Sequence, residues 1–355
     1  AFHAAAPPVR GTDAATQKAV IEALAAGIGI GASADVGQLA ARWAQRIRAA
    51  FDRGRPVLAA RSRHGRVRQC HGDLHLGNIC LFRGVVTPFD AVEFNDALAE
   101  IDVLYDLAFA LMDLVFHARG DLANILLNRY LAATRDYSGL AVLPLFLSLR
   151  AAVRARVLCL GSRTLSDRAR GLRYLELAIR LLECRNCPAV TALGGYSGTG
   201  KSTVAACLAL EYPCMTGAII LHSDEIRKRH CGREPETRLG AEGYEAEVTI
   251  QVYRRMRRDA GRVLRAGWPV ILDATFMDVA ERDRVRMLAM RAEIPFRGFW
   301  LTAPRDVLFG RIEARAKGMS DATREVLMRQ LQRGGDPQDW PMINTGGSLA
   351  DTIAF

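Results

Sequence analysis

The strongest chemical signal is a glycine-rich octapeptide, Gly195-Tyr196-Ser197-Gly198-Thr199-Gly200-Lys201-Ser202, which fits G-x-x-x-x-G-K-[ST] at every fixed position. Glycines let backbone N–H groups converge on phosphate oxygens, and a helix opening near Lys201 would add the positive end of its dipole. In this pattern the lysine reaches the β and γ phosphates and Ser202 ligates Mg²⁺. The alternative is a turn that binds nothing. We predict an Mg·ATP site formed by Gly195, Ser197, Gly198, Thr199, Gly200, Lys201, Ser202 and Thr203.

Two aspartates follow apolar runs farther along the chain. Asp224 and Arg227 lie just after the run ending at Leu221. Asp224 could take a proton from a substrate hydroxyl, and Arg227 could hold an anionic group of the nucleotide or substrate. The alternative is that Asp224 merely caps a helix. Asp273 ends the run beginning at Val270, in the form of a Walker-B strand that orients Mg²⁺.

A pair of arginines completes this set. Arg311 and Arg315 are spaced i, i+4, which places both on one face of a helix. Two guanidinium groups there could close over a transferring phosphate and neutralise its growing charge. The alternative is a solvated basic face shared with Glu313 and Lys317.

These motifs, in this order, resemble those of the small P-loop kinases. The relatives are the polynucleotide-kinase, gluconate-kinase and zeta-toxin group, often labelled AAA-family ATP-binding proteins, and the resemblance covers residues 189–345. It implies a nucleoside-monophosphate-kinase-like fold, with Asp224 as the acceptor base and Arg311 and Arg315 as lid residues. Residues 231–247, where acceptor specificity would lie, carry no recognisable signature.

The first half carries a second kinase-like pattern. His71 to Asn78 has the spacing H-x-D-x-x-x-x-N, in which Asp73 would accept a hydroxyl proton and Asn78 would bind Mg²⁺. Asp90 stands where the metal-binding aspartate of such a kinase would fall. The pattern resembles the aminoglycoside-phosphotransferase and choline-kinase-like family, which implies structural roles for Asp102 and Asp106. A chance loop is the alternative.

The expected N-terminal lobe of such a kinase is not recognisable. Only about 70 residues precede His71 and Lys18 is their single lysine, in a helical rather than a strand pattern. We therefore expect residues 1–185 to be a kinase-like C-lobe without its N-lobe, either in a fragment of a longer protein or in a degenerate domain. The whole layout resembles bacterial bifunctional aminoglycoside phosphotransferase/ATP-binding proteins.

The elements that would position these residues differ between the halves. We predict two domains, a mostly α kinase-like C-lobe at 1–185 and an α/β P-loop NTPase domain at 188–355, with a parallel sheet flanked by helices. A hairpin is expected around Gly84. Helices are predicted at Leu39–Phe51, Asp102–Ala118, Leu122–Thr134, Val142–Leu160 and Asp167–Cys184. Strands of the second half are predicted at Ala189–Leu193, Ala218–Leu221, Val270–Leu272, Phe296–Leu301 and Met342–Ile343.

Composition narrows the class of partner. The 355 residues carry a net charge of +10, split +7 before Cys187 and +3 after it, with arginines far outnumbering lysines. A diffuse positive charge favours small polyanionic ligands over nucleic acid. The eight cysteines are scattered, which indicates a reduced, cytoplasmic protein, and Cys184 and Cys187 lack further zinc ligands. We expect a small-molecule phosphate acceptor and no membrane span; the sequence does not indicate an oligomeric state.

Overall fold

A computed structural model of the chain describes residues 2–9, 14–28, 34–93, 95–161, 164–184, 187–234, 237–314, 323–334, 339–348 and 352. The chain divides into two compact units. The first comprises Ala1–Arg129 and Ser138–Arg185, and the second comprises Tyr130–Tyr137 and Asn186–Phe355.

The chain up to Glu183 is mainly helical. Its helices are α1 (Phe2–Ala5), α2 (Ala14–Gly27), α3 (Ala34–Arg63), α4 (Asp96–Ala99), α5 (Val103–Phe116), α6 (Gly120–Thr134), α7 (Leu143–Gly161) and α8 (Leu165–Glu183). The predicted helices are all present. The one predicted over Leu39–Phe51 is too short, because α3 has 30 residues and continues through Pro56. Trp43, Ile47 and Phe51 are buried along it, as their four-residue spacing predicts.

Four short strands accompany these helices, β1 (Val67–Gln69), β2 (Ile79–Phe82), β3 (Val85–Pro88) and β4 (Glu100–Asp102). Strands β2 and β3 form the predicted antiparallel hairpin, and Gly84 takes the left-handed backbone that its tight turn requires, with φ 78°. Strand β1 pairs antiparallel with β4. That pairing fixes the stretch after Gln69, which carries the His71–Asn78 pattern, beside the start of α5.

The second half forms an α/β sheet domain. Its strands are β5 (Val190–Gly195), β6 (Ile219–His222), β7 (Val270–Asp273), β8 (Phe296–Thr302) and β9 (Met342–Asn344). They form one parallel sheet in the order β6-β7-β5-β8-β9, which confirms the predicted strands and their parallel arrangement. Its helices are α9 (Lys201–Leu210), α10 (Ser223–His230), α11 (Ala246–Arg265), α12 (Val279–Arg291), α13 (Arg305–Glu313) and α14 (Arg324–Arg333).

The core of this sheet explains where polar residues can lie. Every residue of β5 and β7 is buried, and Val204, Ala205 and Ala209 of α9 pack with Leu193 and Ile271 in one apolar cluster. Polar groups that must meet a ligand are therefore left at the strand ends. In parallel sheets, ligands bind beyond the carboxyl ends of the strands. Those ends lead into Gly195, Ser223 and Asp273.

No helix in the described part of the chain is both long and apolar enough to cross a membrane.

Candidate functional site

The loop after β5 owes its conformation to three glycines. Gly195, Gly198 and Gly200 have φ of 134°, 90° and 80°, a region that side chains rarely adopt. A Cβ at Gly195 would also overlap the carbonyl oxygen of Leu301 on the neighbouring strand. The sequence can therefore form this loop only with glycine at these positions. Gly200 is the N-cap of α9, and the first N–H groups of an α-helix have no hydrogen-bond acceptor within the helix.

Lys201 folds back over the loop that precedes it. Its Nζ donates hydrogen bonds to the carbonyl oxygens of Gly195 at 2.9 Å and Tyr196 at 2.8 Å. The Thr199 hydroxyl donates to the Tyr196 carbonyl at 2.8 Å. The ammonium group therefore lies at the mouth of the loop, on a flexible stem that can reach a bound phosphate.

Ser202 in the first turn of α9 meets Asp273 at the end of β7, beside His222 at the end of β6. The Ser202 hydroxyl donates to Oδ2 of Asp273 at 2.6 Å, and Nδ1 of His222 lies 2.8 Å from the same oxygen. Burial alone would raise the pKa of Asp273, but the hydrogen bond and charge of His222, with Lys201 and Ser202, outweigh it and lower that pKa. Burial would lower the pKa of His222, but Asp273 outweighs it and raises that pKa.

The donor set here suits a hard cation. A hydroxyl and an ionised carboxylate at hydrogen-bonding distance are the oxygen ligands that Mg²⁺ accepts, and Mg²⁺ usually keeps several waters besides. Ser202 and Asp273 would therefore hold the ion. His222 would orient the carboxylate through its hydrogen bond to Oδ2, as outer-shell partners of metal ligands do.

Asp224 and Arg227 lie in the first turns of α10, directly after β6. Asp224 is partly exposed at the carboxyl edge of the sheet. The Arg227 side chain is buried and donates to the carbonyl of Gly243 at 2.8 Å and to the Thr249 hydroxyl at 3.1 Å. Its guanidinium lies 4.9 Å from the centre of the Tyr244 ring. Arg227 therefore faces the segment without a sequence signature.

The side chain of Arg311, in α13, reaches the glycine-rich loop of residues 195–202, called the phosphate loop below. It donates to the carbonyl oxygen of Gly198 at 3.4 Å and to that of Thr345 at 2.7 Å. The Thr345 hydroxyl lies 2.9 Å from the carbonyl oxygen of Thr199. Arg315, its predicted partner, lies outside the described residues.

Three residues at this site were not predicted from the sequence, namely His222, Gln330 and Thr345. The Gln330 side chain of α14 accepts a hydrogen bond from the Ser197 N–H at 2.8 Å. Gln330 and Thr345 lie far along the chain with no diagnostic spacing, so no signal pointed to them. His222 had one, because it precedes Ser223 and Asp224 at the strand end.

The aromatic side chains near the loop pack inside the domain. Tyr196 meets Trp300 edge to face, with ring centres 5.7 Å apart. Trp340 is buried against Phe276 and Phe296. Both aromatics are therefore core residues in this conformation.

The first unit brings together two of its three predicted site residues. The Asn78 amide donates to Oδ2 of Asp73 at 3.2 Å and to the Asp73 carbonyl at 3.0 Å. His71 is buried, and its Nε2 lies 2.9 Å from the carbonyl oxygen of Phe89. The Phe89 N–H donates to the Asn78 carbonyl at 3.0 Å. This bond fixes Asp90 one residue away, exposed, with φ 61°.

Two buried aspartates, Asp106 in α5 and Asp102 at the end of β4, fix the loop and the start of the helix beside it. Asp106 accepts hydrogen bonds from the N–H groups of His71 at 3.1 Å and Gly72 at 3.0 Å, and from His3 at 3.0 Å. Asp102 caps α5 and forms a two-pronged ion pair with Arg61 at 2.7 Å. Burial would raise the pKa of Asp106, but His3 and Arg150 outweigh it and lower that pKa. Asp106 thus holds the loop directly, whereas Asp102 holds the start of α5.

The second half matches a known family model. Residues 190–337 match the family described as an AAA domain. The matched residues contain strands β5 to β8 of the parallel sheet and the glycine-rich loop that follows β5.

Curated relatives extend the similarity beyond that domain. The uncharacterized protein Mb2027c of Mycobacterium bovis and the uncharacterized protein Rv2004c of Mycobacterium tuberculosis are each 33% identical over 305 residues, 84% of this chain. That share is larger than either half, so the similarity enters both. The chain spans about 60% of the length of these relatives.

Solved structures resemble the chain more distantly. A gluconokinase from Sinorhizobium meliloti is 20% identical with TM-score 0.33, over 48% of this chain and 90% of that protein. The APS kinase CysC of Mycobacterium tuberculosis, in complex with AMPPNP and APS, is 18% identical with TM-score 0.35, over 48% of this chain and 95% of that protein.

Proposed function

We propose that the chain is an ATP-dependent phosphotransferase, in which the second unit binds Mg·ATP at residues 195–203 and transfers the γ-phosphate to a hydroxyl of a small molecule. The observation that carries the proposal is the meeting of Lys201, Ser202 and Asp273 at the carboxyl ends of β5 and β7. A phosphate chain lying over the loop would face backbone N–H groups, the lysine and the metal ligands together.

Each remaining residue has a part in the transfer. The acceptor oxygen attacks the γ-phosphorus, the bond to the β-phosphate oxygen breaks, ADP leaves, and the acceptor proton passes to Asp224. Arg311, already at the Gly198 carbonyl, balances charge on the transferring group, and Arg315 would join it. Bound Mg²⁺ would offset negative charge on the phosphates. Arg227 and Thr249 would line the acceptor side.

The first unit is proposed to be an aminoglycoside-phosphotransferase-like C-lobe that does not itself turn over. Asp73 and Asn78 support this because they lie in hydrogen-bonding contact, as a base and a metal ligand of a catalytic loop would. Asp90 would be the second metal ligand. Within the described part of the chain, no strand before His71 carries a lysine that could hold the α and β phosphates of a nucleotide.

A calorimetric titration of Mg·ATP tests the nucleotide site. We expect one site in the wild-type protein, lost in Lys201→Ala and unchanged in Asp90→Ala. Two sites, one lost in each variant, would contradict our view of the first unit. No nucleotide binding by the wild type would contradict the whole proposal.

The transfer step needs its own test. ADP release is followed with a panel of hydroxylated small molecules, using Asp224→Ala beside the wild type. We expect acceptor-dependent turnover in the wild type only, with ATP binding retained in Asp224→Ala. Undiminished transfer by this variant would exclude Asp224 as the base. ATP binding with slow, acceptor-independent hydrolysis would indicate a nucleotide-sensing module, and steeply salt-dependent nucleic-acid binding would indicate an end kinase.

A further inference from the structure

A second cavity in the P-loop unit lies at the edge of the sheet. It has a volume of about 350 Å³ and is bounded by β6, α10 and α11, with Tyr137 of the same unit at its wall. Strand β6 is the edge strand, so no further strand covers that side. The volume is within the range of small-molecule pockets.

This cavity is separate from the acceptor side of α10. Of that helix it takes Glu225, Ile226, Arg229 and His230, but not Asp224 or Arg227. Asp224 and Arg227 project toward one side of the helix, whereas Glu225 and Arg229 pair with each other at 3.0 Å on another side. The cavity therefore needs an explanation apart from the transfer reaction.

Positive charge dominates the cavity wall. Five arginines line it, Arg135, Arg229, Arg254, Arg255 and Arg258. The wall contains only two carboxylates, and both are already engaged. Glu225 pairs with Arg229, and buried Asp259 pairs with Arg255 at 3.0 Å and, outside the wall, with Arg262 at 3.1 Å.

Two of these arginines are available to a ligand. Arg254 and Arg258 lie one turn apart on α11, both exposed, and neither forms an ion pair with any residue that the structure describes. Guanidinium groups bind phosphate through two parallel N–H donors. A pair at this spacing can hold two anionic groups of one molecule, or one dianion between them.

We propose that this cavity binds a compact phosphorylated anion at a site distinct from the phosphate loop. The excess of arginine over carboxylate selects a multiply charged ligand, and the cavity volume limits it to a small molecule. His222 also lines this cavity while bonding Asp273, so the two sites share a side chain.

The probe is inorganic pyrophosphate, titrated by calorimetry in the absence of Mg²⁺. The protein carries Lys201→Ala, which weakens pyrophosphate binding at the loop of residues 195–202. We expect one site whose affinity falls about tenfold or more on adding Arg254→Gln with Arg258→Gln, because charged hydrogen bonds carry that much binding free energy. The control pair is Arg265→Gln with Arg291→Gln, which removes the same charge from exposed helix positions outside the cavity. It should leave the affinity unchanged.

Three results would overturn the proposal. The first is that the Lys201→Ala protein does not bind pyrophosphate. The second is that both arginine pairs weaken pyrophosphate binding equally, and the third is that the cavity pair leaves the affinity unchanged. If an RNA oligonucleotide binds through the cavity pair while pyrophosphate does not, the surface serves nucleic acid instead. The arginine comparison stays informative even if the phosphate loop binds no nucleotide.

Discussion

At the scale of single residues, hydrogen bonds from neighbouring side chains fix the orientation of the Asp273 carboxylate. His222 and Ser202 both contact its Oδ2, so the oxygen that would face a metal ion is fixed before any ion arrives. Fixing a ligand in advance removes an ordering cost from binding. His222 thereby becomes a positioning residue, although no contact with a phosphate is assigned to it.

Replacing His222 should affect metal-dependent binding in particular. We expect His222→Ala to weaken ATP binding about tenfold in the presence of Mg²⁺, the lower range for loss of an outer-shell partner, and much less in its absence. His222→Asn can still donate to Asp273 and should recover most of the affinity. Calorimetry with and without Mg²⁺ measures this. Equal losses under both conditions would mean that the histidine only supports packing.

Asp106 makes the stability of the first unit depend on pH. Its pKa is lowered in the folded state, so its contribution is present above the pKa of an unfolded aspartate and is lost as pH falls through the folded value. We expect Asp106→Asn to lower the free energy of unfolding by about 3 kcal/mol at pH 7, since it leaves Arg150 without its buried counter-charge. The loss should shrink toward pH 3.

Urea unfolding followed by circular dichroism at pH 7 and pH 3 measures this. Asp52→Asn, which changes an exposed carboxylate of α3, is the matched control and should behave as the wild type at both values. An Asp106→Asn deficit that stays constant with pH would show that lost hydrogen bonds, rather than charge, cause it.

The sequence predicted those site residues whose chemistry requires a fixed local spacing, and it missed those that tertiary contacts bring to the site. The glycine-rich loop at residues 195–202 was evident because phosphate binding in this pattern requires a fixed order of glycines, lysine and serine. Gln330 and Thr345 join it through tertiary contacts from distant parts of the chain, for which the sequence has no local signature. For Arg227 the motif suggested an anionic group as partner. It could not show that the side chain donates hydrogen bonds to the Gly243 carbonyl and the Thr249 hydroxyl.

At the scale of elements, burial decided what could be predicted. The five strands of the second unit were all evident as short apolar runs, since both faces of a parallel sheet are covered. Helix α3 is longer than predicted, because tertiary packing can stabilise a helix beyond a residue such as Pro56 that disfavours it locally. The order of the strands, with β5 between β7 and β8, could not be predicted from these runs alone.

Two glycines in neighbouring elements should respond in opposite ways to alanine. On β8, a Cβ at Gly298 would overlap the indole of buried Trp340, so Gly298→Ala should destabilise by about 1–3 kcal/mol through overpacking. On α13, nothing lies within 4 Å of a Cβ at Gly310, so Gly310→Ala should stabilise by about 0.5–1 kcal/mol. Urea midpoints of both variants beside the wild type measure this, and a destabilising Gly310→Ala would contradict the packing described around α13.

At the scale of the whole molecule, two compact units share one chain but not one kind of architecture. One is mainly helical and holds Asp73 and Asn78 beside each other, and the other is a parallel sheet with a phosphate loop. The AAA family match covers the second alone, whereas the mycobacterial relatives align with parts of both. The diffuse charge of the sequence gave no hint that five arginines would gather at one cavity.

The scarcity of lysine has a practical consequence for chemical labelling. Lys18, Lys201, Lys228 and Lys317 are the only lysines in the chain. Lys228 is fully buried, whereas Lys201 is partly exposed at the mouth of the loop that we propose binds ATP. An ATP derivative carrying a reactive acyl group on its terminal phosphate should therefore acylate Lys201 ahead of Lys228, and excess Mg·ATP should protect it. Mass spectrometry of the labelled peptides would read occupancy of the loop directly, with exposed Lys18 as the unprotected internal reference.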